Sequence, residues 1–285
     1  MEVKASQIKE VREMTGVAMM ECKKSLVECE GDIEKALDLL RSNSALKAEK
    51  KASRVAADGI LRTSQGDNFA TLIEINSETD FAAKDSNFIE FTDEVHSYIS
   101  SKKVDDIAEF LDSDIEKKRQ ALIQTIGENI QLRRLETVSI DSGMNAGVYL
   151  HSDSKLAAVV VISGGDESLA KDIAMHVAAF NPLCLSQDDI DPQVLEREKA
   201  IYVVQAEESG KPQEIMEKMI EGKLNRFLSE VSLLSQGFVK DSDTTIQKLL
   251  EANNAKIESF SRLKVGEGIE VETKNFADEV AEQLK

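Results

Sequence analysis

Residues 72–99 constrain this chain more than any other stretch, because a strand pattern there becomes a helix pattern across a few polar residues. Leu72, Ile73 and Ile75 form a short apolar, partly β-branched run, the end of a buried strand. Asn76-Ser77 breaks the run, since both side chains compete for backbone hydrogen bonds. Phe88, Phe91, Val95 and Ile99 then recur at helical spacing, with Asp85 or Ser86 available as the N-cap. Between strand and helix lies Thr79-Asp80-Phe81. A phenylalanine at the tip of such a loop has two readings. It folds back and staples the helix to the sheet, or it projects with Asp80 beside it as a wedge for another protein. Residue type alone favours the first, because most aromatics are core.

The same plan occurs twice. Gly59 to Thr63 and Phe69 to Ile75 are extended runs around the turn Gln65-Gly66-Asp67-Asn68, ahead of the Phe88 helix. A second copy begins at Gly147, with Val148 to His151 and Leu156 to Ser163 as a hairpin around Ser152-Asp153-Ser154. Gly164-Gly165-Asp166 then leads into a helix bearing Leu169, Ile173, Val177 and Phe180. Hairpin then helix, twice over, predicts a duplicated α+β core. Gly164-Gly165-Asp166 is not a phosphate loop, because it lacks the glycine spacing and the Lys-Ser or Lys-Thr ending. Between the copies, Ser113 and Glu116 are spaced as a capping box for a helix with Leu122, Ile123 and Ile126, stopped by Gly127. Glu128-Asn129-Ile130 opens a further strand with Leu132 and Val138. Late in the chain, Thr244 to Asn253 is helical, Ile257 to Val265 closes the second sheet, and Gly266-Glu267-Gly268 marks a break.

Three further segments flank or interrupt this core. The first fifty residues read as three helices. Ser6 caps one with Ile8, Val11 and Met14, stopped by Gly16; a second carries Met19 or Met20, Cys22 and Leu26 and ends at Gly31. Asp32 caps a third, with Ile33, Ala36, Leu37 and Leu40 on one face. Ser42, Asn43 and Ser44 then loosen the chain into a basic linker with Lys47, Lys50, Lys51 and Arg54, a solvated stretch or a docking element for an acidic surface. Asp191-Pro192 starts a helical hairpin that turns at Ser209-Gly210-Lys211-Pro212 and returns through Ile215, Met219, Ile220, Leu224 and Phe227. Its pattern predicts an antiparallel coiled coil leaving the body, an intramolecular hairpin or a homodimer contact. A last short amphipathic helix carries Phe276, Val280 and Leu284 and must dock to be stable.

Composition removes several function classes. A net charge of −18 argues against nucleic-acid binding, and 5% aromatics without tryptophan leaves little for base stacking. No apolar run is long enough to span a bilayer, and no charged-then-apolar leader precedes a cleavage site. Cys22, Cys29 and Cys184 are an odd, scattered set, as expected of reduced thiols in the cytoplasm. Cys22 and Cys29 lack the further Cys or His of a zinc site. His176 sits on an apolar helix and reads as a core histidine; His151 lies at a strand end, and neither joins a catalytic motif. No catalytic residue, cofactor or metal is expected.

The run Glu74-Ile75-Asn76-Ser77-Glu78-Thr79-Asp80-Phe81-Ala82-Ala83-Lys84 resembles the central signature of the elongation factor Ts family, with Ala82 where that family usually has Val. Val11-Arg12-Glu13-Met14-Thr15-Gly16-Val17-Ala18-Met19-Met20-Glu21-Cys22-Lys23-Lys24-Ser25-Leu26 resembles its N-terminal signature, with Val11 for Leu and Ser25 for Ala. Ile126-Gly127-Glu128-Asn129 is similar to a third. The resemblance runs nearly end to end. It implies a ubiquitin-associated-like head and basic linker over 1–54, a core half over 55–140, a second half over 141–186 and 229–265, a coiled-coil hairpin over 187–228 and a C-terminal module over 266–285. It also implies guanine-nucleotide exchange on elongation factor Tu, in which the wedge shifts the groups that position the partner's magnesium ion. Under the resemblance, Thr79, Asp80, Phe81, Ala82, Ala83 and Lys84 form the magnesium-displacing contact, and Ile126, Gly127, His151 and Phe276 are further contacts. The alternative is a scaffold that binds without exchange.

Overall fold

Three helices open the chain. In this computed structural model, residues 3–270 are described apart from 103, 105 and 112. α1 (Ala5–Thr15) is capped by Lys4, whose N–H donates to Gln7 Oε1 at 3.0 Å, so Ser6 falls inside the first turn rather than at the cap. Gly16, at φ +66°, ends it. α2 (Met19–Glu28) turns Cys22, Ser25 and Leu26 inward and leaves both Met19 and Met20 exposed. Gly31 closes the helix with its N–H on Leu26 O (2.7 Å). α3 (Ile33–Lys51) starts at Asp32, whose carboxylate accepts from Lys35 N. Val11, Cys22, Leu26, Ala36 and Leu40 make a small core among the three.

β1 (Asp58–Gln65) and β2 (Phe69–Ser77) form the first hairpin, closed by Gly66 N–H on Phe69 O. β2 runs through Asn76 and Ser77 instead of breaking there. Both side chains donate without leaving the strand, Asn76 Nδ2 to Glu74 Oε1 (3.1 Å) and Ser77 Oγ to Thr79 O (3.0 Å), while the buried Asn76 Oδ1 accepts no hydrogen bond among the described residues. A single turn, α4 (Asp80–Ala83), precedes α5 (Ser86–Lys102), where Asp85 accepts from Asn87 N. α6 (Ile107–Leu111), which the spacing did not announce, buries Phe110 fully. α7 (Asp114–Ile126) has no capping box. Ser113 Oγ donates instead to Phe110 O (2.6 Å), and Glu116 is held by Arg119. β3 (Ile130–Ser139) completes a sheet of order β1-β2-β3. Ile73, Ile75, Phe88, Phe91, Val95, Ile99, Phe110 and Ile123 form its core.

The expected loosening at Ser42–Ser44 does not occur. Leu40, Ser44 and Ala48 are buried at four-residue spacing, α3 packs along α7, and Ser44 Oγ donates to Arg41 O (2.6 Å). The predicted linker is therefore helix as far as Lys51.

β4 (Met144–Leu150) starts three residues before Gly147 and pairs antiparallel with β5 (Leu156–Ser163), from Met144 opposite Ser163 to Leu150 opposite Ala157. α8 (Glu167–Phe180) is capped by Asp166. It lies so close to β4 that a Cβ on Gly147 would fall 2.1 Å from Ala170 C. α9 (Pro192–Glu208) and α10 (Gln213–Val231) form the helical hairpin, with Lys223 near Gln205 and over the Tyr202 ring. β6 (Gly237–Phe238), β7 (Asp241–Thr245), α11 (Ile246–Ala252) and β8 (Lys256–Lys264) follow. β8 completes a sheet of order β4-β5-β8, backed by Val160, Ile162, Ile173, Val177, Phe238, Ile246 and Ile257. The architecture is α+β, as predicted.

Two compact units emerge. Among the described residues, one joins 3–62 with Ile73–Glu136 and 264–270; the other comprises Thr63–Leu72 and Thr137–Leu263. In the first, Glu74 is a fully buried carboxylate. It accepts from Arg133 at 3.2 Å, from Arg134 and from Gly266 N–H at 2.8 Å. No helix among the described residues is long and apolar enough to cross a membrane.

Candidate partner-binding loop

The loop after β2 is a built structure. Thr79 has extended backbone and caps α4, its Oγ1 accepting from Ala82 N–H at 3.2 Å. The α4 turn then has an inner face of two small residues, Ala82 and Ala83, both buried. Its outer face carries Phe81, whose surface is 81% exposed. The ring does not fold back to staple the helix; the two alanines and Phe88 occupy the inward side, and the ring points to solvent. Asp80 stands beside it, paired to Lys84 at 2.6 Å, and that pairing raises the Lys84 pKa.

A second loop clasps the first. The Glu128 carboxylate accepts from Thr79 N–H (2.9 Å) and from Thr79 Oγ1 (2.7 Å). In return Glu78 Oε1 accepts from Asn129 N–H at 2.6 Å. Asn129 Nδ2 donates to Arg54 O (2.9 Å), Arg54 reaches Glu78, and Lys51 Nζ donates to Gly127 O. Burial, followed by repulsion from Arg54, lowers the Lys51 pKa. Gly127, in the left-handed region at φ +88°, ends α7 and directs Glu128 into the clasp, while Ile126 packs partly on the core.

Of the predicted site residues, Thr79 to Lys84 and Ile126-Gly127 therefore meet in one unit through Glu128. His151 belongs to the other unit, where Nδ1 lies 2.9 Å from Asp153 and the ring sits edge-on to Tyr149. The Lys155 N–H and then His151 hold the Asp153 carboxyl below its usual range. Phe276 lies outside the described residues. His176 is fully buried between Gln236 and Val239 N–H, a core position. Spacing gave no sign of Glu78 and Glu128, because their partners are 51 and 49 residues away. Among the described residues no three His, Cys, Asp or Glu side chains gather as a metal site.

Comparison with known proteins identifies the family. The family model described as elongation factor TS matches residues 78–267. A protein of Hahella chejuensis named elongation factor Ts is 50% identical over 285 residues, covering 99% of each chain. One of Teredinibacter turnerae with the same name is 46% identical, covering all of this chain and 98% of its own. Another, of Francisella tularensis subsp. novicida, is 48% identical over 99% of both. By sequence from end to end, the chain belongs to the elongation factor Ts family.

Proposed function

We propose that this chain is a guanine-nucleotide exchange factor for elongation factor Tu in the cytoplasm, with the α4 turn as its working part. One observation carries the reading: Phe81 is a large apolar ring held out into water on a one-turn helix braced from below. Such exposure has a cost in water, which docking into an apolar gap in a partner removes.

A GTPase holds GDP through backbone amides and a magnesium ion that neutralises phosphate charge. Phe81 enters a gap between partner helices, and Asp80 hydrogen-bonds beside it. The groups that position the ion shift, phosphate charge is left poorly compensated, and GDP leaves faster. No bond is made or broken, so no catalytic acid or base is required. Each tenfold loss of GDP affinity needs about 1.4 kcal/mol of differential binding, within the roughly 1.5–3 kcal/mol that burying a phenylalanine supplies. Because coupling is reciprocal, incoming nucleotide expels the factor.

Ile126 and Gly127 extend the same surface, while His151 and the segment carrying Phe276 supply further grip. The hairpin over 187–228 serves self-association. The test is stopped-flow release of labelled GDP from elongation factor Tu with a small amount of this chain. Acceleration at substoichiometric amounts is expected. Binding without any acceleration would instead make the chain a scaffold.

A further inference from the structure

We infer that Glu128 is a positioning residue for Phe81, and that the Glu128–Thr79 and Glu78–Asn129 pairs form a reciprocal clasp that sets the ring's direction before the partner arrives. The inference rests on the exchange reading for its functional consequence and on geometry for the positioning itself.

A helix of one turn has no stability of its own. α4 is such a turn, four residues long, and its outward ring makes little contact with the body. Burial of Ala82 and Ala83 seats the turn, and Thr79 fixes its start. A hydroxyl has a single proton to donate. Here that proton goes to Glu128 Oε1, which leaves the oxygen lone pairs aimed at Ala82 N–H, next to Phe81. Glu128 Oε2 takes the Thr79 backbone N–H as well, so one carboxylate fixes both the backbone and the rotamer of the cap. Glu78, one residue earlier, holds the Asn129 backbone in the opposite sense. Neither loop can shift without breaking bonds to the other. Asn129 and Lys51 then tie the clasp to the end of α3 through Arg54 O and Gly127 O. A ring held in this way reaches the partner already oriented, and the entropy that ordering would cost on binding is avoided.

The sequence contains no tryptophan, so Phe81→Trp places a single fluorescent reporter on the turn. In that background Glu128→Ala is expected to lower the steady-state anisotropy of the reporter, and Glu128→Gln, which keeps one acceptor, to lower it less. In the chain with Phe81, Glu128→Ala is expected to slow GDP release from elongation factor Tu by about tenfold, the scale of losing charge-assisted hydrogen bonds. In the Phe81→Ala chain the same change is expected to add nothing, because two residues acting as one unit are not additive. An unchanged anisotropy overturns the inference, and so does an equal further loss in the Phe81→Ala chain. Full exchange by Phe81→Ala would remove the exchange reading, and the anisotropy would then decide the role of Glu128 alone.

Discussion

His176 illustrates how much a single buried ring can fix. Its Nδ1 accepts from Val239 N–H at 3.2 Å, so the proton sits on Nε2 and is donated to Gln236 Oε1 at 2.9 Å. Phe180 stacks on the ring at 4.6 Å. Burial lowers its pKa below 6.5. As pH falls below 6.5 the unfolded chain takes up a proton that the native ring refuses, so stability is full above that pH and declines as acid is added. Urea titrations at pH 7.5 and 5.5 are expected to show this loss, and His176→Gln is expected to flatten it. The same pH dependence in the wild-type chain and in His176→Gln would contradict the assignment. The sequence made this residue legible, because an apolar helical stripe on both sides leaves a histidine nowhere else to go. Phe81 was not legible by the same rule. Its exposure is decided by which of three neighbours on a single turn faces inward, and a four-residue element has too little period to reveal that.

Among the elements, β2 carries the heaviest constraint. Its side chains are buried on both faces, and the charge on Glu74 is tolerated only because Arg133, Arg134 and Gly266 N–H surround it. Removing one member of a buried ion pair leaves the others uncompensated. Glu74→Ala is therefore expected to destabilise the first unit by about 3 kcal/mol in urea unfolding, the low end of that range because both arginines are partly in solvent. A loss near zero would mean that the arginines find other partners. Apolar patterning in the sequence located the strands of the two three-stranded sheets and most helices, since burial on one face leaves a period behind, but it did not announce the short β6-β7 pair. It did not locate the continuation of α3 past Ser42–Ser44. There small residues pack against α7, and a polar Ser-Asn-Ser reads as a loop when its tertiary neighbour is unknown. The Ser113 capping box failed for a similar reason: Glu116 had a stronger partner in Arg119 than in the backbone.

At the scale of the whole molecule, a chain of net charge −18 approaches its partner with a local exception at the end of α3. Of the basic residues there, Lys47 is paired with Glu21 and Lys51 is spent on Gly127 O, whereas Lys50 faces solvent. Lys50→Glu alone is thus the clean probe of electrostatic docking, because Lys51→Glu would also disturb the clasp. Association with elongation factor Tu is expected to slow in low salt, with the difference vanishing at high salt. An on-rate indifferent to the charge would remove α3 from the encounter. The duplicated plan was readable because each copy is a local hairpin and helix, whereas the clasp that connects distant loops was not.

The exchange mechanism turns on the Phe81 ring. The most direct measurement is the rate of labelled-GDP release from elongation factor Tu driven by Phe81→Ala beside the unaltered chain, with thermal unfolding of both recorded. An exposed side chain contributes little to folding, so the melting temperatures are expected to coincide while the exchange rate falls at least tenfold, the scale of about 1.4 kcal/mol of lost docking. Equal exchange rates from two equally folded proteins would contradict it.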